Sequence, residues 1–104
     1  MNIQKMLKQM QQMQSKMAET QADLAAQTVQ ASSGGGRVTV TANGSQEITA
    51  IKISKEVVDP EDVEVLEDLV LNAVQQALAK SKELAAGEMG KLTGGLGLPP
   101  GLGL

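Results

Sequence analysis

The sequence predicts an α+β fold with its elements in the order α-β-β-β-α. Three features carry that expectation. Apolar residues recur at heptad spacing through the N-terminal quarter, an alternating segment surrounds Asn43-Gly44, and an apolar stripe at 3–4 spacing fills the stretch after Asp59. With 104 residues the chain is sized for one domain and a tail.

Residues 2–27 read as a single long helix. Ile3, Met10, Met17 and Leu24 stand seven apart, Met6 and Met13 form a second track, and the positions between are mostly Gln, Lys, Ala and Glu. Thr20 interrupts the second track, so a long coiled coil is not indicated. Thr28–Ser33 reads as a short strand ending at Gly34-Gly35-Gly36. Arg37–Ala42 then alternates, with Val38, Val40 and Ala42 on one face. Asn43-Gly44 suits a two-residue type I′ hairpin, because both central residues of that turn need positive φ. In that register Ala42 opposes Ser45, Val40 opposes Glu47 and Val38 opposes Thr49, on a return strand running from Ser45 to Ser54. Ile51 and Ile53 then share the face of Val38, while Ile48 and Ala50 fall on the other with Lys52. Either a bulge shifts the phase or the second face is partly covered.

The second helix is expected over 59–88. Asp59 suits the N-cap, Pro60 the first helical position, and the acids after them the positive end of the dipole. Val63, Leu66, Leu69, Val70, Ala73, Val74, Ala77, Leu78 and Leu84 line one face of it at 3–4 spacing. From Gly87 onward lie 7 of the 11 glycines together with Pro99 and Pro100, the composition of a flexible tail. The expected organisation is one domain over 1–88, with a helical arm at 1–27 and a small sheet at 28–54, followed by a tail at 89–104.

Composition narrows the chemistry. The chain has no Cys, His, Trp, Tyr or Phe. Disulfides, Cys/His zinc sites and Ser–His or Cys–His couples are therefore impossible. No aromatic platform exists on which unpaired bases could stack. An enzyme is not expected, and no catalytic residue, metal ligand or cofactor site is assigned. The 41% of apolar residues are small aliphatic groups and Met, which bury less area than rings, so an oligomer is expected. No run of about 18 apolar residues is present, and no apolar leader is seen, so a soluble intracellular protein is expected.

Charge is divided unevenly. Six basic residues against four acids give +2 over 1–58, whereas three against eight give −5 over 59–104. Lys5, Lys8 and Lys16 share the polar flank of the first helix, and the first 16 residues hold no acid. These lysines are either solubilising groups or a phosphate-contacting arm. The acids Glu61, Asp62, Glu64, Glu67 and Asp68 follow the exposed face of the second helix rather than a metal-binding pattern. Gly34-Gly35-Gly36-Arg37 joins two strands and lacks the helix N-terminus on which phosphate loops depend. Gly90-Lys91 is followed by Leu92, where a P-loop needs Ser or Thr. The Asn43-Gly44-Ser45 sequon is accounted for by the turn.

The ordered set of features resembles the YbaB/EbfC family of bacterial nucleoid-associated proteins. The matching segments are Met6-Leu7-Lys8-Gln9-Met10-Gln11-Gln12-Met13-Gln14, the Gly-rich break before Val38-Thr39-Val40, Asn43-Gly44 and Ile51-Lys52-Ile53. They continue with Asp59 leading into Leu66-Glu67-Asp68-Leu69-Val70, and with Leu98-Pro99-Pro100-Gly101. The resemblance implies a two-fold dimer with projecting N-terminal helices. It also implies double-stranded DNA binding without enzyme activity, and a cytoplasmic, nucleoid-associated role in nucleoid organisation or gene regulation. The expected phosphate contacts are Lys5, Lys8 and Lys16 of both arms, with Arg37 and Lys52 as weaker candidates. The competing expectation is a protein-interaction module in which the Met-rich helix and the tail dock an unidentified protein partner.

Overall fold

The computed structural model describes residues 2–95. Within them the chain forms α1 (Ile3–Ala26), β1 (Thr28–Ser33), β2 (Val38–Asn43), β3 (Ile48–Ile53), a 3₁₀ turn at Lys55–Val57 and α2 (Val63–Gly95). The α-β-β-β-α order and the α+β class are those the sequence predicts. The strands form one antiparallel sheet in the order β1-β2-β3.

Alternation along β2 sets the core. Val38, Val40 and Ala42 are fully buried, and register places Ser33, Ala31 and Val29 of β1 beside them on the same face. Helix α2 lies over this face, closing the core with Ala73 and Ala77 and with Leu69, Val70 and Val74 around them. The small Ala side chains bring the helix close enough for Ser81 Oγ to donate to the Asn43 carbonyl at 2.6 Å and Ser33 Oγ to the Leu69 carbonyl at 2.6 Å. These two bonds pin α2 along the whole sheet, Leu69 at one end and Ser81 at the other. The opposite face is polar: Gln30 donates to Thr41, and the Ser32 and Thr39 hydroxyls are paired.

The hairpin differs from the sequence expectation. Ala42 pairs with Ile48, Val40 with Ile51 and Val38 with Ile53, with a bulge at the Thr41/Ala42 step. Asn43 closes a longer turn: its N–H donates to the Glu47 carbonyl at 2.9 Å, and its Oδ1 accepts from the N–H groups of Ser45 and Glu47. The positive φ falls on Gln46 (63°), not on Asn43 or Gly44. The extra residue of the bulge puts Ile48 back in phase with Ile51 and Ile53, which resolves the conflict of faces left by the two-residue turn.

Gly44 serves close approach instead. Its N–H donates to the carbonyls of Leu24 (2.8 Å) and Gln27 (3.1 Å), and a Cβ there would stand 2.6 Å from the Leu24 oxygen. The β1–β2 connection takes positive φ at Gly34, Gly35 and Gly36 in succession, a path that residues with a Cβ seldom follow.

The start of the second helix also departs from expectation. Asp59-Pro60-Glu61-Asp62 is a turn, in which the Asp59 carboxylate accepts from the Glu61 N–H at 3.0 Å and the Asp59 carbonyl from the Asp62 N–H. Helix α2 begins at Val63 and runs to Gly95, past the point where its apolar pattern fades. The remainder of the expected tail, from residue 96, lies outside the described residues.

Candidate nucleic-acid interface

Helix α1 is a projecting rod. It starts at an Asn2 cap, whose Oδ1 accepts from the Lys5 N–H at 3.2 Å, and Leu24 is its one buried residue among those described. Twenty-four residues at about 1.5 Å each make it roughly 36 Å long. It reaches the sheet at Leu24 beside the Asn43–Gly44 hairpin, and α2 leaves the sheet at the same hairpin through Ser81. The two helices therefore run antiparallel, in contact, and the molecule measures 72 × 23 × 16 Å. In so narrow a body they lie side by side as one arm extending from the sheet.

At about 100° per residue, Lys5, Lys8 and Lys16 fall within an arc of roughly 80°, on the side of α1 away from Ile3, Met6, Met10 and Met17. All three are exposed. Lys8, Gln11, Gln12, Ser15 and Lys16 line an open depression on this face. Ammonium and amide groups there present hydrogen-bond donors to solvent, the chemistry that suits phosphate oxygens. Further along the same face come Glu19 and Asp23, close to the sheet.

The structure does not bring Arg37 and Lys52 to this face. Arg37 follows the glycine turn at the end of the sheet remote from α1. Its Nε donates to Glu56 at 3.1 Å and its Nη1 to the Gly34 carbonyl at 3.0 Å. Lys52 pairs with Thr39 on the polar face of the sheet. The sequence reading also left two basic groups out of the arm. Lys82 and Lys91 belong to the segment of α2 beside α1, with Lys91 3.5 Å from Glu88. Their place depends on the antiparallel return of α2, which no local spacing signals. With Glu83 they leave this segment balanced, two lysines against two acids, so the net positive charge of the outer arm comes from α1.

Apolar exposure is large. Ile48, Ile51 and Ile53 lie on the face covered by α2 but beyond its reach, 37–46% exposed, beside fully buried Val38 and Val40. No group of three or more acids, Cys or His poised for a metal occurs among the described residues, and no helix there is long and apolar enough to cross a membrane.

Known proteins share this pattern along nearly the whole chain. A nucleoid-associated protein of Syntrophobacter fumaroxidans is 51% identical over 100 residues, covering 92% of this chain and 91% of its own. One from Akkermansia muciniphila is 50% identical over 103 residues and 99% of both chains. In fold, a crystal structure of an uncharacterized Helicobacter pylori protein matches with a TM-score of 0.71 at 20% identity, over 80% of this chain and 87% of that one. The profile of the YbaB/EbfC DNA-binding family, whose members are not enzymes, matches residues 1–96, and the chain belongs to that family.

Proposed function

We propose that this protein binds double-stranded DNA as a homodimer in the nucleoid, with low sequence specificity, and so affects nucleoid organisation and gene expression. The observation that carries the reading is the face of α1 bearing Lys5, Lys8 and Lys16, on an arm clear of the body, in a chain of a DNA-binding family. From Lys5 to Lys16 the helix rises about 16 Å, the length of some five base pairs, so one arm can follow a run of phosphates. Lysine supplies point charges for phosphate, and the arm carries no Arg or Asn facing outward along this row to read base edges. Arg37 and Lys52 are secondary candidates. The pairing of Arg37 with Glu56 reduces its net attraction for an anion.

The dimer is supported by the uncovered isoleucines of β3. A contiguous apolar surface continuous with a core is the mark of a subunit contact. Joining two copies through this face leaves both arms free and doubles the lysines offered to one duplex.

The test is the anisotropy of a labelled duplex titrated with protein at several salt concentrations. Three lysines from each of two subunits give a log–log salt slope on the order of −5. Replacing Lys5, Lys8 and Lys16 with Ala flattens that slope, and an unchanged slope removes them from the interface. If the folded protein does not bind naked duplex even at low salt, the arm is instead a docking element for another protein.

A further inference from the structure

The chain has six methionines and no cysteine or histidine, so thioethers are its soft side-chain donors. Met6, Met10, Met13 and Met17 stand 4, 3 and 4 residues apart, within an arc of about 60° on α1. Met13 and Met17 are 40 and 38% exposed, against 51 and 57% for Met6 and Met10. The difference follows α2, which runs back along α1 from the hairpin. Met89 lies on that returning stretch, eight residues past Ser81, and is half-buried. Ser81 and Leu24 are level with each other at the hairpin. From there Met89 is a rise of about 12 Å along α2, while Met17 and Met13 are about 10.5 and 16.5 Å back along α1. Met89 therefore comes level with the gap between Met17 and Met13, across the seam between the helices.

We propose that Met13, Met17 and Met89 together bind one soft monovalent cation, Cu(I) or Ag(I), which clasps α1 to α2. Side chains four apart on a helix have Cβ atoms about 6 Å apart, and the axes of packed helices lie about 8–10 Å apart. Each methionine has three rotatable bonds, so the three sulfurs can turn toward one point at the seam. Thioethers select Cu(I), whereas Mg²⁺ and Ca²⁺ take oxygen donors and Zn²⁺ takes thiolate, imidazole or carboxylate. The remaining exposure of Met13 and Met17 gives an ion access from solvent. Glu88, next to Met89, is paired with Lys91 at 3.5 Å. Lys5, Lys8 and Lys16 lie on another side of α1, so the site leaves them open. The inference does not depend on DNA binding.

The probe is Ag(I), added as the nitrate in chloride-free buffer to the full chain with carbon-13-labelled methionine methyl groups. Two-dimensional NMR reads each methyl separately, and calorimetry gives stoichiometry and affinity. One ion per chain is expected, moving the Met13, Met17 and Met89 signals together and leaving Met6 in place. Met13→Leu, Met17→Leu and Met89→Leu each keep apolar volume and helix propensity but lose the sulfur. Each is expected to weaken binding tenfold or more, and Met6→Leu less than twofold. Cu(I), kept reduced by ascorbate without oxygen, is expected to displace Ag(I), and Zn²⁺ to leave the methyl signals unmoved. Circular dichroism verifies that each variant is folded. Three results overturn the proposal. Absence of Ag(I) uptake by the native chain removes the site. Gradual shifts of all exposed methyls, with no variant weakened, mean that the thioethers act singly. Full affinity in Met89→Leu means that any site belongs to α1 alone.

Discussion

Gly44 is where the arm is fixed to the body, and Gly44→Ala tests how rigidly. The added Cβ would sit 2.6 Å from the Leu24 carbonyl oxygen, 2.8 Å from Leu24 Cδ2 and 3.0 Å from Leu24 Cβ. A relaxed carbon–oxygen contact needs about 3.3 Å, so α1 must retreat by roughly 0.7 Å. That movement stretches the 2.8 Å Gly44 N–H···O=C Leu24 bond to about 3.5 Å, where it is effectively lost. Overpacking and the lost bond together cost roughly 2–4 kcal/mol. For a domain of this size the Tm then falls by at least about 8 °C in thermal denaturation followed by circular dichroism, at matched protein concentration. Gly87→Ala is the control. It lies in α2 with nothing within 4 Å of its would-be Cβ, and should raise stability by about 0.5–1 kcal/mol. Because the nearest obstacle to the added methyl group is a backbone atom, truncating Leu24 to Ala does not rescue the variant. A Gly44→Ala protein whose Tm stays within about 2 °C of the native value refutes a rigid joint.

Two further substitutions separate the core from the interface. Ser81→Ala removes the buried 2.6 Å bond to the Asn43 carbonyl, which still accepts from the Gln46 N–H, so the loss in urea denaturation is only about 0.5–1.5 kcal/mol. Ile51→Glu places a charge on the uncovered face of β3. If the proposed dimer forms through this face, the variant is a folded monomer in light scattering and the salt slope of DNA binding falls from about −5 to about −3, since one arm remains.

Much of the fold is legible in the sequence because two periodicities are written cleanly. The heptad of Ile3, Met10, Met17 and Leu24 specifies a helix, and the alternation of Val38, Val40 and Ala42 specifies a strand with one buried face. Reading fails where tertiary contact outweighs local preference. Asn43-Gly44 has the chemistry of a tight turn, yet Gly44 is needed for its contact with Leu24, and the positive φ passes to Gln46. That contact is long-range, and no window around residue 44 contains it. Asp59 and Pro60 carry helix-start chemistry but are used in a turn before Val63. The lysines of α1 can be placed on one face by spacing alone. Their isolation from the body cannot, because it depends on the direction in which α1 leaves the sheet.

That direction bears on how an acidic chain can serve a polyanion. The net charge is −3, but the acids from Asp59 to Asp68 lie on the turn and first helical turns at the end of the sheet where Ser33 meets Leu69. Lys5 lies beyond the other end. Nineteen helical residues separate it from Leu24, and six strand residues span the sheet, so about 45–50 Å intervene. Screening at physiological salt acts over about 8 Å, so the acidic end contributes almost nothing to the potential at the arm. On α1 three lysines are followed on the same face by Glu19 and Asp23 nearer the sheet, and beside them on α2 two lysines are balanced by two acids, so the cationic part is the outer stretch from Lys5 to Lys16. A duplex approaching the arm meets a cationic rod, while one approaching the far end of the sheet is repelled. On the proposed reading the elongated fold makes binding directional: the acidic end disfavours DNA, and the lysine-bearing arm, doubled in the proposed dimer, provides the attractive approach.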